Sequence, residues 1–584
     1  MSKTNFKSRL VAILVTILVT GLIGWGIEFL ALPAMTFHSS GFWWFWLCMG
    51  IIAALVYFAV NGITNSIKCE DGGYLPGLII LGVTAIWLVA FIVTAIAGGE
   101  MTNAQKYSNL IDVETGDFAE DIDQINLDNL VVVDVKTAQQ LGNRTIANIE
   151  NSSWYEVDSE YNLAVIKGKE YRISPVNYGG IWKFFKADEV GIPGYVLVDA
   201  KDQDEEARYV ELEENIKYSP SACMEYDLTR HLRRQYPTYI FGKSFFEVDD
   251  NGTPFWITSV QTPQIGMRGG NVVTSVLVTN AANGDTEEYA LDVIPEWVDH
   301  VDSVDHLMTL LNWHYSYWNG WWNSFTSQTK VYKTSYYYKD QEQSKSQDED
   351  NIDLEANKHT PFEGYNSIVT KEGKVLFYTG LTPANKAESN IGFLLIDPIA
   401  QKFTYYKATG AEESSAQKAV EGLVSDHRYS ASFPTVVNVD GIETYFMVLK
   451  DGAGLIQRYA FANVKNYSLV VQADTKEEAL RLYKIKIGLT SEDDANEIQN
   501  NQNNNPEVET TELTGKVVQI QEAQIEGFTY YYFTLEGNNM IFMSSIENSN
   551  LQPMMLKIGN FVTINYYESI EENGIGIVTT IKFE

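Results

Sequence analysis

LVAILVTILVTGLIGWGIEFL, residues 10–30, decides the architecture. As a helix this apolar run crosses the ~30 Å hydrocarbon core of a bilayer, which takes about 20 residues. Two further runs, 41–63 and 75–98, repeat the pattern, and nothing comparable follows Glu100. Residues 1–100 therefore read as a transmembrane anchor of three helices, and the rest of the chain as a large region displayed from it.

Lys3, Lys7 and Arg9 precede the first run with no acid among them, whereas the loop 31–40 has no Lys or Arg. The next loop carries Lys68 beside Glu70 and Asp71. This bias predicts a cytoplasmic N-terminus, so that residues after about 99 are extracellular. The first run is too long for a signal-peptide core, lacks a small-residue cleavage site and precedes two more spans, so it is expected to be retained. Trp43, Trp44 and Trp46 open the second span, where an aromatic belt or helix packing would use them. Glu28 is the one acid within a span. An intramembrane carboxylate is a functional candidate, but this one lies near the span's outer end and can snorkel to the interface. A single marginal acid argues for an anchor rather than a transporter.

The 584 residues are 45% hydrophobic and 13% aromatic, enough for sizeable cores, and carry a formal charge of −34. Such a charge excludes nucleic acid as a partner, because phosphates demand a basic footprint. It also disfavours a basic grip on anionic headgroups. Cys48, Cys69 and Cys223 are the only cysteines. No disulfide framework is possible in the displayed region, so its folds must hold by core burial. This usage fits an exported bacterial protein.

Residues 101–128 are polar and acidic and read as a stalk. Leu130-Val-Val-Val-Asp-Val135 reads as a buried strand, and 136–149 as a helix with Ala138, Leu141 and Ile146 on one face. Strands are expected at 161–166, 170–173 and 195–198. An apolar strand, a polar turn and a second strand bearing Tyr then recur: 194–199 with Tyr209, 275–279 with Tyr289, 392–397 with Tyr405, and 446–450 with Tyr459. Helical stretches accompany them at 227–236, 412–426 and 475–483. The expected class is α+β, with antiparallel helix-hairpin units at 129–220, 221–330 and 361–490.

The helix, the strand with Glu247-Val-Asp-Asp-Asn-Gly252 and the strand ending near Gly284 and Tyr289 resemble the unit of PepSY-type extracellular domains. Tyr236-Pro-Thr238, Gly392-Phe393, Gly410-Ala-Glu412, Phe433-Pro434 and Leu449-Lys-Asp451 resemble a group of uncharacterised bacterial membrane proteins whose N-terminal helices precede such an ectodomain. The resemblance covers roughly residues 190–485. It implies an envelope location and no reaction.

Residues 308–325 are unusually aromatic. Trp313, Tyr315, Tyr317, Trp318, Trp321 and Trp322 can pack a core, form a ligand or partner surface, or meet the membrane. His314 among them has no neighbouring Cys or carboxylate and reads as structural. Residues 331–360 form a polar loop whose acids Asp348, Glu349, Asp350 and Asp353 suit a solvated surface. The Asn-rich linker 491–512 leads to 513–584, where five strands and Leu556-Lys-Ile-Gly559 resemble an OB-type β-barrel. Its Tyr530, Tyr531, Tyr532 and Phe533 are accompanied by Lys516, Lys557 and Lys582 alone among many acids, which again argues against nucleic acid.

Gly242-Lys-Ser244 lacks the earlier Gly of a phosphate-binding loop, because Pro237 stands there. Glu247, Asp249 and Asn251 imitate the start of a calcium loop, but position twelve is Thr258, and a hairpin turn explains Asn251-Gly252. No His-Glu-x-x-His, Cys-x-x-Cys or Gly-x-Ser-x-Gly occurs. No catalytic residue, metal site or cofactor is therefore expected. The sequence predicts a membrane-anchored, outward-facing binding or scaffold protein of the cell envelope, with an envelope protein partner and a possible homo-oligomer. The alternative is an envelope enzyme acting on glycan or peptide through carboxylates near the Trp-rich segment.

Overall fold

The computed structural model describes residues 3–68, 74–149, 151–335, 364–384, 389–425, 427–489, 511–525, 528–538, 540–545, 556–568 and 575–583. The acids of the polar loop, Cys69 and most of the Asn-rich linker lie outside them. The chain forms two compact units, Met1–Ile487 and Gly488–Glu584.

In the first unit, α1 (Lys3–Ala31), α2 (Ser40–Lys68) and α3 (Leu75–Ala97) are long and apolar enough to cross a membrane. Ile17, Leu18 and Ile86 point outward from them, apolar surface that a bilayer would cover. Trp43 is buried between helices and stacks on Trp87 at 4.4 Å, whereas Trp44 and Trp46 face outward.

The segment expected as a stalk is folded. Its α4 (Glu100–Ser108) buries Ala104 and Tyr107, and Val113–Gly116 pairs in parallel with Lys402–Tyr406. A short α5 (Phe118–Asp121) follows. The expected strand at Leu130–Val135 is an irregular buried strap: Val132 and Val133 both donate to the Ala200 carbonyl. Asp134 ends it by capping α6 (Val135–Gly142), its Oδ1 accepting from the Thr137 N–H at 2.9 Å. The helix gives way at Asn143–Asn148 to a 3-10 turn. Further α-helices are α7 (Ile181–Ala187), α8 (Leu228–Gln235), α9 (Val304–Tyr317), α10 (Glu413–Leu423) and α11 (Lys476–Lys486).

All four expected hairpins form, and each Tyr opposes an apolar residue of its partner strand: Tyr209 faces Val196, Tyr289 faces Val276, Tyr405 faces Leu394 and Tyr459 faces Val448. They belong to four open, largely antiparallel sheets. The expected unit boundaries do not divide the core. One cluster joins Val132, Ile173, Val196, Phe246 and Leu277 to Phe446, Phe461 and Tyr483.

In the second unit five strands pair in a closed ring. Thr511–Ile525 bonds Phe528–Leu535, which bonds Phe542–Ser545; that strand runs parallel to Gly576–Phe583, which returns through Phe561–Glu568 to the first. Val517, Phe533, Phe542, Ile564 and Ile581 fill its interior.

Candidate functional site

Three arginines, two on α8 and one on a sheet hairpin, bond the apolar helices. Asp227 caps α8 through the Arg230 N–H, and Arg230 and Arg233 then share one helical face. Arg230 Nη1 donates to the Phe29 carbonyl at 2.7 Å, with its guanidinium 3.9 Å over the Phe29 ring. Arg233 Nε donates to the Leu32 carbonyl at 3.1 Å, and its Nη1 to that of Tyr239 at 2.6 Å. The last carbonyls of α1 lack partners within their helix, and cations suit that end of the dipole. Burial pushes the Arg233 guanidinium down to about 10, still charged at neutral pH. Arg268 lies at the tip of the hairpin Pro254–Ile265/Gly269–Asn280 and donates to the Phe91 carbonyl and to Thr94 Oγ1 of α3. The tip fits because glycines flank Arg268: a Cβ on Gly269 would sit 2.1 Å from the Gly98 carbonyl oxygen, and Gly266 has φ +60°.

A cleft of about 1460 Å³ opens among the sheets. That exceeds the roughly 300–1,000 Å³ of a small-molecule pocket and suits an extended chain. Its walls include Ile294, Trp297, Val369, Leu376 and Val436, with Lys167, Lys371 and Lys374 interspersed among acids. Strands Asn162–Ile166 and Asn366–Val369 border it, each bonded along one side in the described sheets. Such edges offer backbone groups to an incoming strand, the Val165 N–H, held by Asp299, and the Ser367 N–H, held by Asn366 Oδ1, excepted.

Behind one wall lies a buried polar cluster. Glu247 is 1% exposed. It accepts from the Asp299 and His300 N–H groups at 2.9 and 2.7 Å, and from His300 Nδ1–H at 2.9 Å. Asp299 Oδ2 accepts from the Val165 N–H at 2.8 Å, tying an edge strand of the cleft to the cluster. Burial pushes the Glu247 carboxyl up to about 8, against the pull of the two N–H donors. Burial, then the Glu247 charge, pushes Asp299 up to about 8. Burial pushes His300 down to about 4, so the ring is a neutral imidazole, and its Nδ1–H tautomer is the one that donates to Glu247. His306 places Nδ1 2.7 Å from Asp302 Oδ2 and Nε2 2.9 Å from the Asn271 carbonyl. Two acceptors make both nitrogens donors, an imidazolium. Burial opposes that charge, but Asp302 raises the His306 pKa overall.

The Trp-rich stretch splits. α9 sends Leu307, Met308, Leu310 and Leu311 into a core, with Trp313 and Tyr315 packed at its margin. Trp313 Nε1 donates to Glu100 Oε1 at 3.0 Å, and the Tyr317 hydroxyl donates to Glu100 Oε2. His314 Nδ1 meets the Ser108 carbonyl. Past the helix Trp318 and Trp322 are exposed and Trp321 half-buried. None of these aromatics lines the cleft.

Glu247, Asp249 and Asn251 do not converge. Glu247 faces the core, while Asp249 Oδ1 accepts from the Asn251 and Thr253 N–H groups within the turn. Among the described residues no cluster of His, Cys, Asp or Glu is arranged to hold a metal. Gly242-Lys-Ser244 lies inside strand Ile240–Val248. Glu28 sits near the end of α1, one residue before the carbonyl that Arg230 holds. The arginines were missed from sequence; two Arg three apart behind an N-capping Asp, and an Arg among Gly266, Gly269 and Gly270, were the available signals. No family model and no curated protein matches the chain.

Proposed function

We propose that this chain is a membrane-anchored binding protein of the cell envelope, its N-terminus cytoplasmic and its sheets outside, which holds an extended ligand segment in the cleft. The observation that carries this is the cleft itself: large, mixed in character and bordered by two sheet edges. The edges supply backbone pairing and the walls supply side-chain pockets, which is how β-addition divides affinity from specificity. The arginine contacts support a further point: the cleft would be presented in a definite geometry above the membrane rather than on a loose tether. PepSY-type units belong to this proposal, supported by α8 followed by a four-strand antiparallel meander. So does an OB-type barrel, supported by the strand order first-second-third-fifth-fourth. We assign the barrel to protein contacts.

Two measurements on cells producing the full chain test this. A cysteine at Asn251, with the native cysteines replaced, should react with a membrane-impermeant maleimide without permeabilisation; reaction only after permeabilisation overturns the sidedness. A benzophenone amino acid at Val369 should crosslink to a partner, whereas one at the exposed Trp182 should not. Equal crosslinking at both sites, or at neither, overturns the cleft as the binding site.

A further inference from the structure

Glu100 stands three residues beyond the end of α3. The Gly98 N–H still bonds the Thr94 carbonyl and the Gly99 N–H that of Ile96, so the chain climbs little between Ala97 and Glu100. A bilayer's hydrocarbon core is ~30 Å thick and the whole ~40–45 Å, which leaves about 5–7 Å of headgroup layer on each side. If α3 spans the core, Glu100 lies in that layer. Its carboxylate holds Trp313 and Tyr317, the last turn of α9. The next residue is Trp318, which is 55% exposed; Trp322 and Phe325 are 63% and 48% exposed.

These side chains form a prearranged knob. The rings of Trp321, Trp322 and Phe325 lie 4.6–5.4 Å apart in tilted and edge-on contacts. The backbone beneath is bonded internally: Asn323 Oδ1 accepts from the Thr329 N–H, its Nδ2 donates to the Thr329 carbonyl, and the Gln328 N–H donates to the Asn323 carbonyl. A loop closed in this way enters an interface without stranding polar backbone. Charge agrees. From His306 through Lys339 the chain has no Asp or Glu, although it carries 76 in all. The knob thus escapes the repulsion that the rest of this acidic surface would feel near anionic lipid. Trp and Tyr are the side chains that favour the headgroup level.

We propose that Trp318, Trp321, Trp322 and Phe325 dip into the headgroup layer beside α3, a second membrane contact that stops the ectodomain tilting about its helical anchor. The proposal rests on the membrane-spanning assignment of α3, and the test separates the two. The full chain, with native cysteines replaced, is placed in nanodiscs of phosphatidylcholine and phosphatidylglycerol. A polarity-sensitive fluorophore is attached at Cys introduced at Trp322, at Ile86 on the exposed face of α3, or at Asn251. Strand Pro254–Ile265 separates Asn251 from the Arg268 tip by roughly 36 Å at ~3.3 Å per residue. The W322C label should be blue-shifted and at least twofold more quenched by lipid spin-labelled near the headgroup than the N251C label. Quenching of I86C by lipid spin-labelled deep on the acyl chain, with W322C equal to N251C against the headgroup label, overturns the knob and leaves the spans standing; no quenching of I86C by the acyl-chain label overturns the spans. A W322C shift that appears only with two chains per disc makes a second copy the occupant and also overturns the proposal.

Discussion

Arg268 donates through Nη2 to the Phe91 carbonyl at 2.7 Å and to Thr94 Oγ1 at 3.0 Å, so the tip of a sheet hairpin is bonded to a helix that lies 177 residues earlier in the chain. The guanidinium also covers the Phe91 ring at 4.3 Å. Charge-assisted bonds of this kind contribute about 1.5–3 kcal/mol each, and cation–π contact about 0.5–2 kcal/mol more where water is excluded. Arg268→Ala should release the tip. In hydrogen exchange the Gly269 and Gly270 amides should lose protection while strand Lys169–Tyr178 keeps its own. Arg268→Lys should recover only part, because a point charge does not reproduce the planar fork. Unchanged protection in Arg268→Ala would show that the tip is held by packing alone.

Gly269 tests the same seat sterically. A methyl group 2.1 Å from the Gly98 carbonyl oxygen cannot be accommodated without moving backbone. Overpacking of this kind costs typically 1–3 kcal/mol. Gly269→Ala should lower the melting temperature in nanodiscs by several degrees, whereas Gly488→Ala, with open space around it but φ +79°, should show only a local backbone effect.

The buried acids predict a pH dependence. Glu247 and Asp299, with native values near 8 against ordinary values of 4.5 and 3.8, stabilise the fold most below the ordinary values. That contribution is lost as pH rises through about 8. His306, also raised, acts in the same direction from its ordinary 6.5 upward. His300, lowered to about 4, acts oppositely: its contribution is present above 6.5 and lost as pH falls toward 4. Between pH 6.5 and 8, then, this cluster pushes stability only downward, with a slope of up to about 1.4 kcal/mol per pH unit for each proton released. Asp299→Asn keeps an acceptor for the Val165 N–H and removes one titration. Its denaturation midpoint should vary less across that window than the unmodified protein's; parallel profiles would assign the protons elsewhere.

What the sequence discloses follows the range of the interaction. The three long helices are legible because runs of about twenty mostly apolar residues suit a bilayer crossing. The hairpins are legible because turn chemistry and strand alternation are local, and Tyr209, Tyr289, Tyr405 and Tyr459 all take their places in register. Residues 113–116 were misjudged because their partner strand lies almost three hundred residues on. Leu130–Val135 carries the composition of a strand, but its Val132 and Val133 N–H groups share the Ala200 carbonyl instead of joining a ladder, and Asp134 turns it into a helix start. The cleft and the Arg230–Phe29 contact, 201 residues apart, are assembled by tertiary packing and leave no periodic trace.

The division at Ile487 predicts independent unfolding. The barrel has its own core of Val517, Phe533, Phe542, Ile564 and Ile581, separate from the cores of the first unit. A chain ending after Ile487 should keep the melting transition of the first unit within about 1 °C, and calorimetry of the full chain should resolve a second transition absent from the shorter one. A single transition shifted by truncation would mean that the two units stabilise each other.

Glu100 offers the sharpest test of how the aromatic stretch is held. It is the common acceptor for Trp313 Nε1–H and the Tyr317 hydroxyl, and its charge also supports the Lys333 ammonium, which burial pushes down to about 8. Removing the carboxylate strands the half-buried Trp313 N–H, takes an acceptor from the Tyr317 hydroxyl and withdraws the favourable charge from Lys333. Each donor left without a partner costs about 1–3 kcal/mol, and the favoured relief is for the end of α9 to detach from α4. Glu100→Ala should therefore expose the backbone from Trp313 to Phe325 in hydrogen exchange while the buried turns at Leu307 and Leu311 stay protected. Glu100→Gln keeps one carbonyl acceptor and should show an intermediate effect. Protection unchanged in Glu100→Ala would mean that Tyr107, whose ring meets Trp313 edge-on at 4.7 Å, holds the helix end without the carboxylate.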